Sequence, residues 1–301
     1  MNGIILVNKT KDMTSRDVVN ILSKKFDTRR IGHTGTLDPI ATGVMGIAIG
    51  DGLKIVDFLI NDSKEYIATV KLGISTDTLD ITGNILEEVN NYSLSKKQLI
   101  EVLNSFLGKY LQEVPIFSAV KVNGKRLYEY ARENISVELP KREIEVFAIE
   151  LIDLKDDEFS FRVKVSKGTY IRSLIRDIGQ KINVPCCMKS LQRTIQGNFK
   201  IEDSYTLDEI KSDKYKVISI KDALTGYNFV EVDSYIENKI LNGRILENRY
   251  DTDVIIFINS KEEVLAIYGV YDKDNSKVKP IKVIKQKNLK STNLWNWFNN
   301  K

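Results

Sequence analysis

Residues 159–166 alternate without a break: Phe159, Phe161, Val163 and Val165 interleave with Ser160, Arg162, Lys164 and Ser166. A period of two puts the four apolar side chains on one face of a strand and the four polar ones on the other. Such a strand is half-buried and belongs to a sheet of antiparallel type. The same period runs from Glu65 to Leu72, where Tyr66, Ala68, Val70 and Leu72 share a face. A shorter strand is expected at Ile4–Val7, and the apolar run Val44–Ile49 has strand length. Three segments read as helices with one apolar stripe. Arg16–Phe26 carries Val18, Val19, Ile21, Leu22 and Phe26 behind the cap signal Thr14-x-x-Asp17. Ser95, with Gln98 three residues on, opens a second helix whose stripe is Leu99, Ile100, Val102, Leu103, Phe106 and Leu107, and Gly108 stops it. The third carries Ile171, Leu174, Ile175, Ile178 and Ile182, which leaves Arg172 and Arg176 together on a different face. A short basic helix is expected near Arg126–Glu133, after an irregular stretch around Pro115.

The texture changes after about Gly226. A helix near Asp233–Leu241 ends at Asn242-Gly243, and short strands follow at Val254–Ile258, Val264–Val270 and Lys279–Ile284. A chain of 301 residues has room for two domains, so a small β-rich domain is expected behind a larger one. No apolar run approaches membrane-spanning length. Met1–Lys9 lacks the basic and long apolar regions of a secretory signal. The two cysteines, Cys186 and Cys187, are adjacent and cannot staple a loop. One histidine, His33, argues against a histidine metal centre and against a Ser-His-Asp triad. The expectation is a cytoplasmic protein without metal. Charge is uneven: Asn275–Lys301 holds seven lysines and no acid, more than the whole chain's net +4. That end reads either as a polyanion-binding tail or as a solvated one.

The sharpest local signal is Arg29–Gly43, a loop with tightly specified turns. Asp38 stands in it between Leu37 and Pro39, on backbone that Pro39 holds away from a helix. A carboxylate so placed can act as nucleophile or base, or can close a turn through its own backbone. His33 can be an acid, a base, an RNA-inserting group or an ordinary loop histidine. Arg172 can pair with a catalytic carboxylate and fix its rotamer, or be a surface charge. Tyr66 and Tyr170 can stack on a base or pack in a core. Asp77 and Asp80, in the polar loop Gly73–Gly83, can form an acid–base pair, bind Mg²⁺ or shape turns. Cys186 and Cys187 read as small, partly buried side chains.

In this order the segments resemble a known family. Gly32-His-Thr-Gly-Thr-Leu-Asp-Pro-Ile-Ala-Thr-Gly43 is similar to the catalytic motif of the bacterial tRNA pseudouridine synthase B family. Lys64-Glu-Tyr66, Thr76-Asp-Thr-x-Asp80, Ser118-Ala-Val-Lys121, Gly124 and Tyr128-Glu-x-Ala-Arg132 resemble its further blocks. So do Ser166-Lys-Gly-Thr-Tyr-Ile-Arg172 and Leu191-x-Arg-Thr194 with Gly197. The resemblance spans Gly3–Phe199, and the end of the chain is loosely similar to the family's small RNA-binding domain. It implies an α+β fold with a mixed, mainly antiparallel sheet in a catalytic domain over residues 1–228. A small PUA-like domain with a basic tail is implied over 229–301. It also implies isomerisation of the T-loop uridine at tRNA position 55 to pseudouridine, without cofactor or metal, by a monomer acting on the T stem-loop. By motif position, Asp38 would be the nucleophile and Arg172 its partner. Tyr66 would stack on the flipped uracil and handle the C5 proton. Tyr170 and the Leu191 backbone would contact the base, and His33 would help hold the opened T loop. Residues 112–139, with Lys121, Lys125, Arg126 and Arg132, would form a mobile flap over the RNA.

Four positions depart from the family pattern: Val114 before Pro115, Phe117, Val165 and Gln192, the last replacing an arginine. None removes a proposed catalytic group, and the Gln192 change bears on RNA affinity. Three other readings stay open on sequence alone. They are a non-catalytic RNA-binding protein, a synthase directed by guide RNA, and a glycoside hydrolase using Asp38 with Asp77 or Asp80.

Overall fold

The computed structural model describes residues 1–60 and 63–284. Among these, nine strands form one sheet. They are β1 (Gly3–Lys9), β2 (Ile31–His33), β3 (Thr42–Ile49), β4 (Lys64–Leu72), β5 (Gly108–Glu113), β6 (Lys141–Lys155), β7 (Glu158–Val165), β8 (Cys186–Gln196) and β9 (Phe199–Lys200). The order is β1-β3-β8-β4-β7-β6-β5, with β2 on β3 and β9 on β8. Every pairing is antiparallel except one: Gln192 and Arg193 of β8 lie parallel to Thr42 and Gly43 of β3. The sheet is thus mixed and mainly antiparallel, as expected from the alternating strands. That single parallel contact brings together two segments that frame the Asp38 loop.

The alternation decides what each face meets. Tyr66, Ala68, Val70 and Leu72 of β4 and Phe159, Phe161, Val163 and Val165 of β7 are all buried in one core. Helices α2 (Lys96–Asn104) and α4 (Ile171–Ile182) cover it with Leu99, Leu103, Leu174, Ile175 and Ile178. Ile100 faces away from the Leu99–Leu103 side and is exposed. Helix α2 ends at Asn104, so Leu107, read as part of its stripe, lies beyond it and is exposed, while Gly108 opens β5 instead of stopping the helix. Helix α1 (Ser15–Lys25) lies on β1 and β3, with Val18, Val19 and Leu22 against Ile5, Val7, Met45 and Ile47. Thr14 caps it in a reciprocal box with Asp17. The short basic helix expected near Arg126 is α3 (Leu127–Arg132).

Two segments read as loops contain strands. Ile31–His33 is β2, paired to the end of β3 that β8 leaves uncovered. Ile74–Thr76 pairs with Ile85–Glu88 in a two-stranded hairpin. Neither shows an alternating apolar pattern of its own; pairing with a partner makes them strands.

A second, five-stranded sheet takes up the chain from Asn228: β10 (Asn228–Glu231), β11 (Leu246–Glu247), β12 (Val254–Ile258), β13 (Val264–Tyr271) and β14 (Asp274–Val283), with α5 (Ser234–Leu241) beside it. Ile256, Ile258, Val264, Ile267 and Ile284 share a buried cluster with Ile4, Leu6, Val44 and Ala48. The free face of β1 and β3 is therefore filled by the second sheet. The basic end splits in two. Residues 275–283 are strand β14, and residues 285–301 lie outside the described residues. Among the described residues no helix is long and apolar enough to cross a membrane.

Candidate active site

Asp38 sits at a tight turn closed by the Ala41 amide on its own carbonyl, at 3.0 Å. The turn is gripped from four sides. Ser15, the first residue of α1, accepts from the Leu37 amide at 2.9 Å and donates to the Leu37 carbonyl at 3.2 Å. The Asp12 amide donates to the Pro39 carbonyl at 2.9 Å. The fully buried ammonium of Lys9 donates to the carbonyls of Met13 at 2.6 Å, Thr10 at 2.9 Å and Pro39 at 3.3 Å. Burial pushes the Lys9 pKa down to about 8, while Asp38 and Asp12 work against that shift. Beneath the loop, Arg193 donates to the carbonyls of Val44, Gly35 and Thr36 at 2.8, 3.2 and 3.5 Å. Its burial lowers its pKa, which the Tyr66 hydroxyl opposes. The backbone of Asp38 is thus fixed before any substrate arrives.

Arg172 approaches from the other side. It stands in the first turn of α4, where the apolar stripe fixes the helix against the sheet and aims Arg172 inward. Its Nε donates to Asp38 Oδ2 at 2.8 Å and its Nη2 to Asp38 Oδ1 at 3.2 Å. The remaining donors reach the carbonyls of Thr78 at 2.9 Å and Phe117 at 3.1 Å. This is a bidentate carboxylate pair, with two carbonyls completing the guanidinium's hydrogen bonding. The Arg172 side chain is 7% exposed and that of Asp38 is 35% exposed, so the carboxylate is the more open of the pair toward the space beyond.

That space is a cavity of about 330 Å³, small-molecule size. Asp38, Arg172, Tyr66, Tyr170 and Leu191 all line it, with Phe117, Ser118 and Tyr128 from the segment after β5. Tyr66 lies opposite Arg193 and Ala68 opposite Leu191 across the β4–β8 pairing, which puts Tyr66 and Leu191 side by side on one face. Five of the six residues that the family resemblance assigns to the site therefore meet in one cavity. His33 does not line it. It closes β2, and its Nδ1 accepts from the Gly35 amide at 3.3 Å. Burial, then Arg193 and Arg16, lower its pKa, which favours the neutral ring.

Asp77 and Asp80 form no acid pair with Asp38. Asp77 accepts from Asn84 twice, and Asp80 Oδ1 accepts from Thr78 and Thr82, so both shape the hairpin after β4. Cys186 and Cys187 are free and buried, and burial pushes their thiols up to about 12 and about 11. No group of three or more His, Cys, Asp or Glu side chains among the described residues could hold a metal ion. Lys9, Ser15, Gln112 and Arg193 carry no catalytic signal of their own in the sequence: Arg193 lies in the family-like segment Leu191–Thr194, and Gln112 opens the stretch expected to form a flap.

The site chemistry is that of one fixed carboxylate facing a cavity walled by two tyrosines. Over residues 23–171 the chain matches the family described as TruB family pseudouridylate synthase (N-terminal domain). That stretch holds Asp38, Tyr66 and Tyr170 and stops one residue short of Arg172. The chain is 43% identical to a tRNA pseudouridine synthase B of Oceanobacillus iheyensis, covering 94% of this chain and 97% of that one. It is 40% identical to the corresponding protein of Clostridium tetani, covering 89% and 92%. Among solved structures, a chain of a Cbf5–Nop10–Gar1 complex superposes with a TM-score of 0.73 at 24% identity, over 94% of this chain and 85% of that one. At that identity the likeness shows the fold.

Proposed function

Because the chain belongs to the TruB family of pseudouridylate synthases, we propose that it isomerises uridine 55 in the T loop of tRNA to pseudouridine, with Asp38 as the nucleophile. The single observation that carries the residue assignment is the bidentate Asp38–Arg172 pair at the wall of the cavity.

The reaction breaks the C1′–N1 glycosidic bond, turns the uracil, and joins C5 to C1′. It makes no net redox change, since C1′ and C5 compensate each other, and it transfers no group elsewhere, so it needs no cofactor or metal. One carboxylate in a shaped pocket suffices, and the uridine has to leave its stack to reach it, at a cost of a few kcal/mol. Tyr66 and Tyr170 offset that cost by stacking, worth about 1–3 kcal/mol per base. Leu191 offers backbone groups to the uracil edge, and Tyr66 is the candidate to take the C5 proton. Arg172 compensates the carboxylate's charge and fixes the direction of both oxygens. Phe117, Ser118 and Tyr128 form the outer wall, which supports the reading of a flap that closes on the RNA for the part of 112–139 beyond β5, since Gln112 and Glu113 belong to the sheet. His33 stands outside the base cavity, so its role is to hold the opened T loop, not to touch the reacting base.

The test is tritium release from a tRNA transcript carrying 5-³H-uridine, with purified wild type and Asp38→Asn. Release by wild type at the single T-loop site, and none by the variant at equal tRNA binding, is the expected outcome. Variant turnover within about tenfold of wild type would remove the nucleophile assignment, since loss of a reacting group costs far more.

A further inference from the structure

Gln112 is 1% exposed and makes a two-point grip on the backbone of Tyr170. Its Oε1 accepts from the Tyr170 amide at 2.8 Å, and its Nε2 donates to the Tyr170 carbonyl at 3.2 Å. The same Nε2 donates to the Tyr110 hydroxyl at 2.9 Å. The amide cannot be turned over, because a flip would set donor against donor at the Tyr170 amide. Bound this way, the side chain imitates a neighbouring strand, offering one residue both an acceptor and a donor.

The grip joins two groups that need it. Tyr170 is the N-cap residue of α4, with extended backbone at φ −100° and ψ 111°. Its amide lies outside the helical ladder, so it needs a partner from elsewhere. Its carbonyl already accepts from Leu174 at 3.0 Å. Gln112 is itself braced. The Tyr110 hydroxyl lies 3.5 Å from Asp177 Oδ2, and Arg176 ties Asp177 to Glu113. Gln112 also sits on the sheet and not on the segment beyond it, because the Val114 amide donates to the Pro140 carbonyl at 3.0 Å and closes that segment at its base.

We propose that Gln112 is a positioning residue for the reaction. By holding the Tyr170 backbone it sets the aromatic wall of the base cavity and the start of the helix that aims Arg172 at Asp38. The inference rests on the function proposed above. Gln112 touches no reacting atom and acts through Tyr170.

Two variants test it. Gln112→Met keeps the length and removes all three hydrogen bonds, and Gln112→Asn leaves the amide one methylene short. With saturating tRNA, kcat is expected to fall about 10- to 100-fold, the scale set by sub-ångström misplacement at a reacting centre. KM for tRNA and the melting temperature should stay near wild type in at least one variant. A Tyr170→Ala background keeps the backbone that Gln112 holds, so adding Gln112→Met there should still lower kcat through the start of α4, but by less than in wild type because the aromatic wall is already gone. An unchanged kcat in a folded variant overturns the assignment, as does a full additive loss in the double variant. Failure of both variants to fold overturns it too, by making Gln112 a residue of the fold alone. If wild type itself forms no pseudouridine, the functional reading has failed, and the grip is judged on the free protein. Amide exchange at Tyr170 should then be faster in Gln112→Met than in wild type, and equal rates would overturn the grip.

Discussion

Lys9 shows how much of this site is held by a residue that never meets substrate. Its ammonium is buried against three carbonyls, one of them that of Pro39 beside Asp38. With a folded pKa of about 8 against an ordinary 10.5, the sign of its contribution follows from proton counting. Below pH 8 the folded and unfolded chains both hold the proton. Between pH 8 and 10.5 the unfolded chain keeps a proton the folded one has lost, so stability rises with pH over that window. The stability of wild type relative to Lys9→Met, from urea unfolding at fixed pH steps, should therefore be flat up to about pH 8 and then climb. A difference that stays flat to about pH 10 would show that burial does not hold the amine near 8. Arg172 makes the complementary point about legibility. Its spacing from Arg176 is visible in the sequence, and so is its place off the apolar stripe. Its burial is not, because the partner carboxylate lies 134 residues away. Gln112 is less visible still, since nothing near it in sequence distinguishes an amide that grips Tyr170 from one that faces water.

The elements that read most clearly from sequence are those whose causes are local. Helix α1 begins where Thr14 and Asp17 place it, and β4 and β7 bury the face their alternation marks. The hairpin strand Ile74–Thr76 and β2 are hidden, because each becomes a strand only through its partner. Helix α1 also separates stability from chemistry within two adjacent residues. Thr14 closes the capping box at the exposed end, whereas Ser15 is buried and holds Leu37 by both its amide and its carbonyl. Thr14→Ala should lower unfolding free energy by about 1 kcal/mol and leave kcat unchanged. Ser15→Ala should lower kcat by about tenfold or more through displacement of the Asp38 turn. Denaturant melts and single-turnover pseudouridine assays on both variants check the pair, and equal kcat losses would contradict the division.

Across the whole molecule, the second sheet is attached through burial and through specific hydrogen bonds. Lys54 donates to the Ile284 carbonyl at 2.6 Å, and Tyr227 to the Phe58 carbonyl at 3.3 Å. Three lysines of the basic end form ion pairs. Lys277 pairs with Asp274, Lys279 with Asp272 and Lys282 with Asp57. These are exposed pairs of small worth, and the other four lysines of this end are Lys285, Lys287, Lys290 and Lys301. Truncation after Ile284 spares β14, whereas a cut at Asn275 would remove it. With the shorter cut, tRNA affinity should fall, and the slope of log K against log salt should flatten by about 0.7–0.9 for each phosphate that a lysine no longer neutralises. Filter binding over a salt series measures this, and an unchanged slope would leave these lysines as solvated charges. The parallel pairing of β3 with β8 has a consequence in time. Arg193, which holds the carbonyls of Gly35 and Thr36, lies 158 residues downstream of Gly35. A ribosome adding about 5–20 residues per second takes roughly 8–30 s to cross that interval. Through that period the nascent chain can hold the Asp38 turn from upstream by Lys9, Asp12 and Ser15 but not by Arg193, so the four-sided grip is complete only when β8 joins the sheet.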